Sequence, residues 1–245
     1  MTESFRFPER SNTPSPSRSL AVLVLGMHRS GTSLTTEILS RLGLWIGTEG
    51  TLIGATECNA RGHFELVAGV EFDNDVLRQA GGTWDHPPAI ESVDALATRI
   101  RPSVDAWYEG RSAWAFKDPR LCLTLPVWMP ALLEFDVRIV HVVRDPHAVA
   151  RSMVTRNDAT DVPASRFARG EMAASDALTL WAEYNRRACL DEERFAIPRL
   201  FVWYDQLVDA PASEVRRIAA FVGRADVELG PAVQCVRPEL RRHGG

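Results

Sequence analysis

Leu20-Ala21-Val22-Leu23-Val24-Leu25 runs directly into Gly26-Met27-His28-Arg29-Ser30-Gly31-Thr32-Ser33. The first six residues are apolar without alternation, the pattern of a strand buried on both faces of a parallel sheet. Gly26 to Gly31 then reads as a turn. Thr32 to Leu42 has helical periodicity, with Ser30 or Thr32 as its cap and Gly43 just past its end. Strand, glycine-bearing turn and helix in that order form an anion cradle. The glycines let backbone N–H groups converge, and the helix start adds positive partial charge.

Further strands follow at Ala113 to Lys117, Arg138 to Val143 and Arg199 to Tyr204. Between them, helices are predicted over Leu66 to Gln79, Val93 to Tyr108, Pro146 to Arg156, Glu171 to Glu193 and Ala212 to Val222. Strands alternating with helices imply an α/β fold: a parallel sheet with helices on both faces, in the three-layer arrangement of P-loop NTPases. Asn157 to Gly170 is polar and turn-rich, the composition of a loop or lid. Met1 to Ser19 is polar and proline-bearing with no apolar middle, so a disordered lead-in is expected there rather than a signal peptide. Residues 20–245 are expected to form one domain.

Composition narrows the function. At 245 residues and 45% hydrophobic content the chain can build one sizeable core. A formal net charge of −4 gives no basic surface for nucleic acid. No apolar run reaches the ~18–20 residues of a membrane span. Cys58, Cys122, Cys189 and Cys235 form no C-x-x-C pair, which fits a reducing, cytoplasmic setting. The six histidines make no metal site by spacing, and no metal requirement is expected. Of 28 basic residues only Lys117 is a lysine. An ammonium differs from a guanidinium in size and hydration, so this position invites attention.

The turn carries both glycines of the ATP-binding pattern G-x-x-x-x-G-K-[ST], but Thr32 stands where that pattern needs lysine. Arg29 supplies a cation earlier in the loop. The third strand ends in Arg144-Asp145-Pro146, so its tip offers a cation to an anion before it offers an acid to a metal. With these segments quoted, the chain resembles the 3′-phosphoadenylyl sulfate (PAPS)-dependent sulfotransferases, particularly their bacterial branch with G-M-x-R-S-G-T-S loops. The resemblance spans roughly Leu20 to His243. It implies that Arg29, Ser30, Gly31, Thr32 and Ser33 hold the 5′-phosphosulfate. It implies that Arg144 and Ser152, eight positions apart, bind the 3′-phosphate. Tyr204, in Tyr204-Asp205-Gln206-Leu207, is implied near the adenine, its alternative being plain core. Arg241 and Arg242, in the C-terminal P-E-L-R-R-H, close over the 3′-phosphate or form a solvated tail.

Sulfuryl transfer needs an in-line nucleophile and neutralisation of the leaving phosphate. Arg29 and then Lys117, in Lys117-Asp118-Pro119-Arg120, are the candidate cations; the alternative for Lys117 is an ion pair with Asp118 at a strand end. Many relatives place histidine two positions after that lysine, but here Pro119 stands there. The candidate base is therefore Glu65, in Asn59-Ala60-Arg61-Gly62-His63-Phe64-Glu65, with a pKa expected to be raised by burial beside aromatic rings. Its alternative is an acid at a helix start. His63, Asp85 and His86 are reserves, the last two in Gly82 to His86, which is expected to line the acceptor pocket. The resemblance thus implies PAPS as donor, 3′-phosphoadenosine 5′-phosphate (PAP) as product, and a small-molecule, glycan or lipid acceptor. The alternatives are a P-loop-type small-molecule kinase and a non-catalytic PAP-binding protein.

Overall fold

The computed structural model describes residues 18–55, 62–96, 101–154 and 172–237, with backbone alone at 101 and 102. Outside them lie most of the 1–19 lead-in, Cys58, the Asn59–Arg61 part of the Glu65 motif, the 157–170 loop, and Arg241 with Arg242. The strands are β1 (Leu20–Leu25), β2 (Ala113–Lys117), β3 (Asp136–Val143) and β4 (Arg199–Trp203). They pair in the order β2-β1-β3-β4, every pair parallel. The chain leaves β1 to one side for β2 and returns to its other side for β3. Ligands of open α/β sheets bind at the carboxyl ends of strands that flank such a reversal.

Ten α-helices among the described residues surround the sheet: α1 (Thr32–Arg41), α2 (Val67–Gln79), α3 (Ile90–Asp94), α4 (Arg101–Tyr108), α5 (Leu121–Trp128), α6 (Pro146–Val154), α7 (Ala174–Arg194), α8 (Tyr204–Asp209), α9 (Pro211–Phe221) and α10 (Gly230–Val233). Side chains alternate across β1 and so serve two cores. Ala21, Leu23 and Leu25 share one core with residues of α2, α4, α5, α6 and α7, whereas Leu20, Val22 and Val24 share the other with residues of α1, α8, α9 and α10. This is the three-layer α/β arrangement expected, and every β1 residue is buried.

The first core is aromatic. Tyr108 stacks on Trp114 at 3.8 Å between ring centroids, and Phe116 on Trp128 at 4.5 Å. The Trp128 indole N–H and the Thr124 hydroxyl both donate to one Asp73 oxygen, at 2.8 and 2.7 Å. Burial pushes the Asp73 carboxyl well above its ordinary range, and the nearby Asp118 adds to the rise.

Three elements differ from expectation. The single helix predicted over Val93 to Tyr108 is two helices, with α3 ending at Asp94. Pro102 lacks an N–H and is tolerated only in a helix's first turn, so α4 starts beside it. Helix α5 is buried nearly all round and contains Pro126, so it shows no amphipathic period to read. Tyr204 is the first residue of α8 and not the last of β4. No described helix is long and apolar enough to cross a membrane.

Candidate functional site

The loop leaving β1 is shaped by two close approaches. Gly26 has φ 144°, and a Cβ there would lie 2.4 Å from the Val142 carbonyl of β3. Its N–H is anchored by the Cys122 sulfur at 3.2 Å. Gly31 has φ 95° and sits at the helix N-cap, where a Cβ would lie 2.2 Å from the Tyr204 ring. Arg29 also takes a left-handed φ of 70°, which non-glycine residues seldom adopt. Neither Ser30 nor Thr32 caps α1, contrary to expectation: Gly31 is the N-cap, and no side-chain cap hydrogen bond is made. The N–H groups at a helix start have no intrahelical acceptor, and an anion can serve as one. The Ser30 hydroxyl is fully buried with no hydrogen-bond partner. An uncapped helix start beside an orphaned hydroxyl suits a phosphate or sulfate oxygen.

One group of predicted residues gathers around Arg29. Its Nε donates to Ser152 Oγ at 2.9 Å, and its carbonyl accepts from Arg144 Nη1 at 3.1 Å. The Arg144 guanidinium lies over the Tyr204 ring, 4.5 Å from its centroid. Arg144, Ser152 and Tyr204 are all buried. Asp145 caps α6 through Ala148 N–H at 2.7 Å, and Pro146 follows at a position that needs no donor. Thus the R-D-P triplet aims its arginine at the loop and spends its acid on the helix.

The second group gathers around Lys117, at the carboxyl end of β2. Its Nζ is ion-paired with Glu65 and donates to the His63 carbonyl at 3.2 Å and to Ser33 Oγ at 3.3 Å. Asp118 does not pair with Lys117; it accepts from Arg120 N at 2.9 Å and Arg120 Nη1 at 3.0 Å. Glu65 does not serve the start of α2 either. Its expected pKa is corrected: burial pushes the carboxyl up, but the Lys117 and Arg120 charges, with the Lys117 hydrogen bond and His63, hold it below its ordinary value. The structure therefore brings Glu65, Lys117 and Ser33 together, and separately Arg29, Arg144, Ser152 and Tyr204. The bond from Arg29 Nε goes to Ser152, within the first group.

Of the reserves, His63 contributes its backbone oxygen to Ser33 and Lys117. Asp85 is buried and accepts from the Thr83 hydroxyl at 2.7 Å, with His86 Nδ1 at 3.7 Å. Trp84 packs on His28 of the loop at 4.8 Å, and Tyr184 donates to the Trp84 carbonyl at 2.7 Å. Three residues escaped the sequence reading. His28 carries Trp84 onto the loop, Arg120 adds charge beside Glu65, and Trp181 Nε1 donates to the Arg144 carbonyl at 3.1 Å. His28 and Arg120 had a signal, their places inside the quoted loop and the Lys117–Arg120 segment, whereas Trp181 had none.

A sulfotransferase-family profile matches residues 21–228. No curated protein matches the chain by sequence. Among solved structures, the sulfotransferase domain from the curacin biosynthetic pathway is 13% identical and aligns with a TM-score of 0.52, over 94% of this chain and 81% of that one. The sulfotransferase domain from the Synechococcus PCC 7002 olefin synthase is 20% identical, with 96% and 87% covered and a TM-score of 0.49. Sulfotransferase STF9 from Mycobacterium avium is 17% identical, with 94% and 69% covered and a TM-score of 0.45. The curacin likeness concerns the fold; the profile, spanning most of the chain from β1 to beyond α9, concerns descent. This chain is a member of the sulfotransferase family.

Proposed function

We propose that the chain transfers a sulfuryl group from PAPS to a hydroxyl or amine of a small-molecule, glycan or lipid acceptor, within a unit spanning residues 20–245 and in the cytoplasm. The convergence of Arg29, Arg144, Ser152 and Tyr204 on one side of an uncapped helix start carries this reading. Four elements contribute to it, and a donor with phosphates at both ends of an adenosine needs such a divided anion site. Ser30, Gly31, Thr32 and Ser33 would hold the 5′-phosphosulfate, and Arg144 with Ser152 the 3′-phosphate. Tyr204 would lie along the adenine, and Arg241 and Arg242 would close over the 3′-phosphate. Arg29 would bridge the two halves, its loop position near one phosphate and its guanidinium beside Ser152.

PAPS supplies an activated sulfuryl group whose leaving group is the 5′-phosphate of PAP. Lys117 neutralises charge on the transferring group, and Ser33 orients the lysine. Glu65 accepts the acceptor's proton as the new oxygen–sulfur or nitrogen–sulfur bond forms and the bond to the leaving phosphate breaks. A kinase reading draws no support from β3, whose terminal acid is used as a helix cap.

Calorimetry with PAP and with 5′-AMP tests the reading. PAP is expected to bind wild type far more tightly than AMP, and Arg144→Ala is expected to weaken PAP by at least ~2 kcal/mol while leaving AMP nearly unchanged. Equal affinities for the two nucleotides in wild type would overturn it.

A further inference from the structure

Behind the transfer site, α7 crosses β3 through a polar cluster that the proposed chemistry does not use. His141 of β3 is 1% exposed and faces Glu192, whose Oε1 lies 2.9 Å from its Nδ1. Cys189, one turn earlier on α7, completes a trio whose donor atoms all lie within 4.8 Å of one another. His141 and Glu192 are buried and Cys189 is half-buried, leaving an approach from the cysteine side.

The surroundings fix how each of two donors is presented. Asn185 donates its amide N–H to the Trp181 carbonyl at 2.7 Å, which turns its oxygen toward His141 Nε2 at 3.0 Å. That nitrogen must therefore carry a proton, and Nδ1 is the one that faces the trio. The second Glu192 oxygen accepts from Arg199 Nη1 at 3.0 Å, which directs the first toward His141. Outer hydrogen bonds that set a histidine tautomer and orient a carboxylate are what metal ligands require.

We propose that His141 Nδ1, Cys189 Sγ and Glu192 Oε1 form a binding site for one thiophilic divalent cation of the zinc class. Imidazole, thiolate and carboxylate together suit a tetrahedral zinc-type ion, with solvent as the fourth ligand. Nitrogen and oxygen ligands about 2.0 Å from such an ion stand roughly 3.3 Å apart, so Nδ1 and Oε1 need open by only ~0.4 Å. The entering cation displaces one proton from Nδ1 and one from the thiol, so the buried group keeps its net charge. The site also has a route to the donor side. Asn185 and Trp181 lie on the same face of α7, and Trp181 holds the Arg144 carbonyl. An ion clamping α7 to β3 would steady that face.

The test is titration of the chelator-stripped full chain with Co²⁺. The expected result is a thiolate-to-cobalt charge-transfer band that saturates at one equivalent and is displaced by one equivalent of Zn²⁺. Cys189→Ser is expected to abolish the band while leaving circular dichroism unchanged. Asn185→Ala is expected to retain the band but weaken zinc competition by about tenfold. Absence of the band in wild type, or its survival in Cys189→Ser, would overturn the proposal and leave a doubly protonated His141 in a buried ion pair. None of these readouts requires sulfuryl transfer, so the fate of this site and that of the PAPS reading are separable.

Discussion

A glutamate buried beside aromatic rings gains affinity for protons, but one buried against an ammonium loses it. Glu65 is of the second kind because Lys117 reaches it from the end of β2. The glutamate is thus ionised in the free protein well below neutral pH, ready to accept a proton but weakly basic. If donor binding draws Lys117 toward the sulfuryl oxygens, Glu65 loses its main stabilising charge and its proton affinity rises. The expected signature lies in the acid limb of the pH profiles. In the proposed mechanism Glu65 acts in its ionised form, so activity is expected to fall as pH drops through its pKa. The limb for kcat/KM, which reports free enzyme, should lie at lower pH than the limb for kcat, which reports the complex. Glu65→Gln should lower kcat by at least ~100-fold and leave PAP affinity nearly unchanged. Wild-type turnover in that variant would remove Glu65 from the mechanism. Lys117 was legible in the sequence as a solitary lysine at a strand end. Its partner was not, because the pair comes together only when the segment after Gly62 folds back across β2.

At the level of elements, the start of α1 is governed by α8. The Tyr204 ring fills the space that a side chain at position 31 would need. Gly31→Ala combines that collision with an unfavourable φ and should cost about 2 kcal/mol or more in chemical denaturation. Tyr204→Ala in the same chain should recover part of the loss, so the double variant is less destabilised than the sum of the singles. Strict additivity would mean that the two elements do not constrain each other. Strand β1, the loop and α1 could be read from sequence because each has its own periodicity or turn chemistry. The R-D-P triplet was equally legible, since its acid and proline are helix-start residues. Helix α5 was not, because a segment buried on every side shows no contrast between faces. Nor was the break between α3 and α4, where an apolar pattern continues past Pro102. The grouping of Arg29 with Ser152 depends on a left-handed arginine, which no spacing rule supplies.

For the molecule as a whole, the order β2-β1-β3-β4 explains why distant segments share one edge. In register, Val24 of β1 lies beside Lys117 on one side and Val140 on the other, while Val143 lies beside Trp203. The residues that follow each strand therefore come out together, and the loop, Lys117, Arg144 and Tyr204 are neighbours although scattered in sequence. Alternating strands and helices announced the parallel sheet; the crossover that makes β1 central became visible only in the assembled structure.

That arrangement places the chain's solitary lysine at 3% exposure behind an ion pair. Within these residues, amine-directed acylation of a side chain has a single address, and folding hides it. Reagent should modify Lys117 slowly in native buffer, faster as denaturant opens the sheet, and more slowly again when PAP is present, all readable as one mass increment on one peptide. Rapid native labelling would show that the lysine is open to solvent. A protease that cleaves only after lysine would likewise have one cut to make here, so the intact-chain band would record how often the fold lets go.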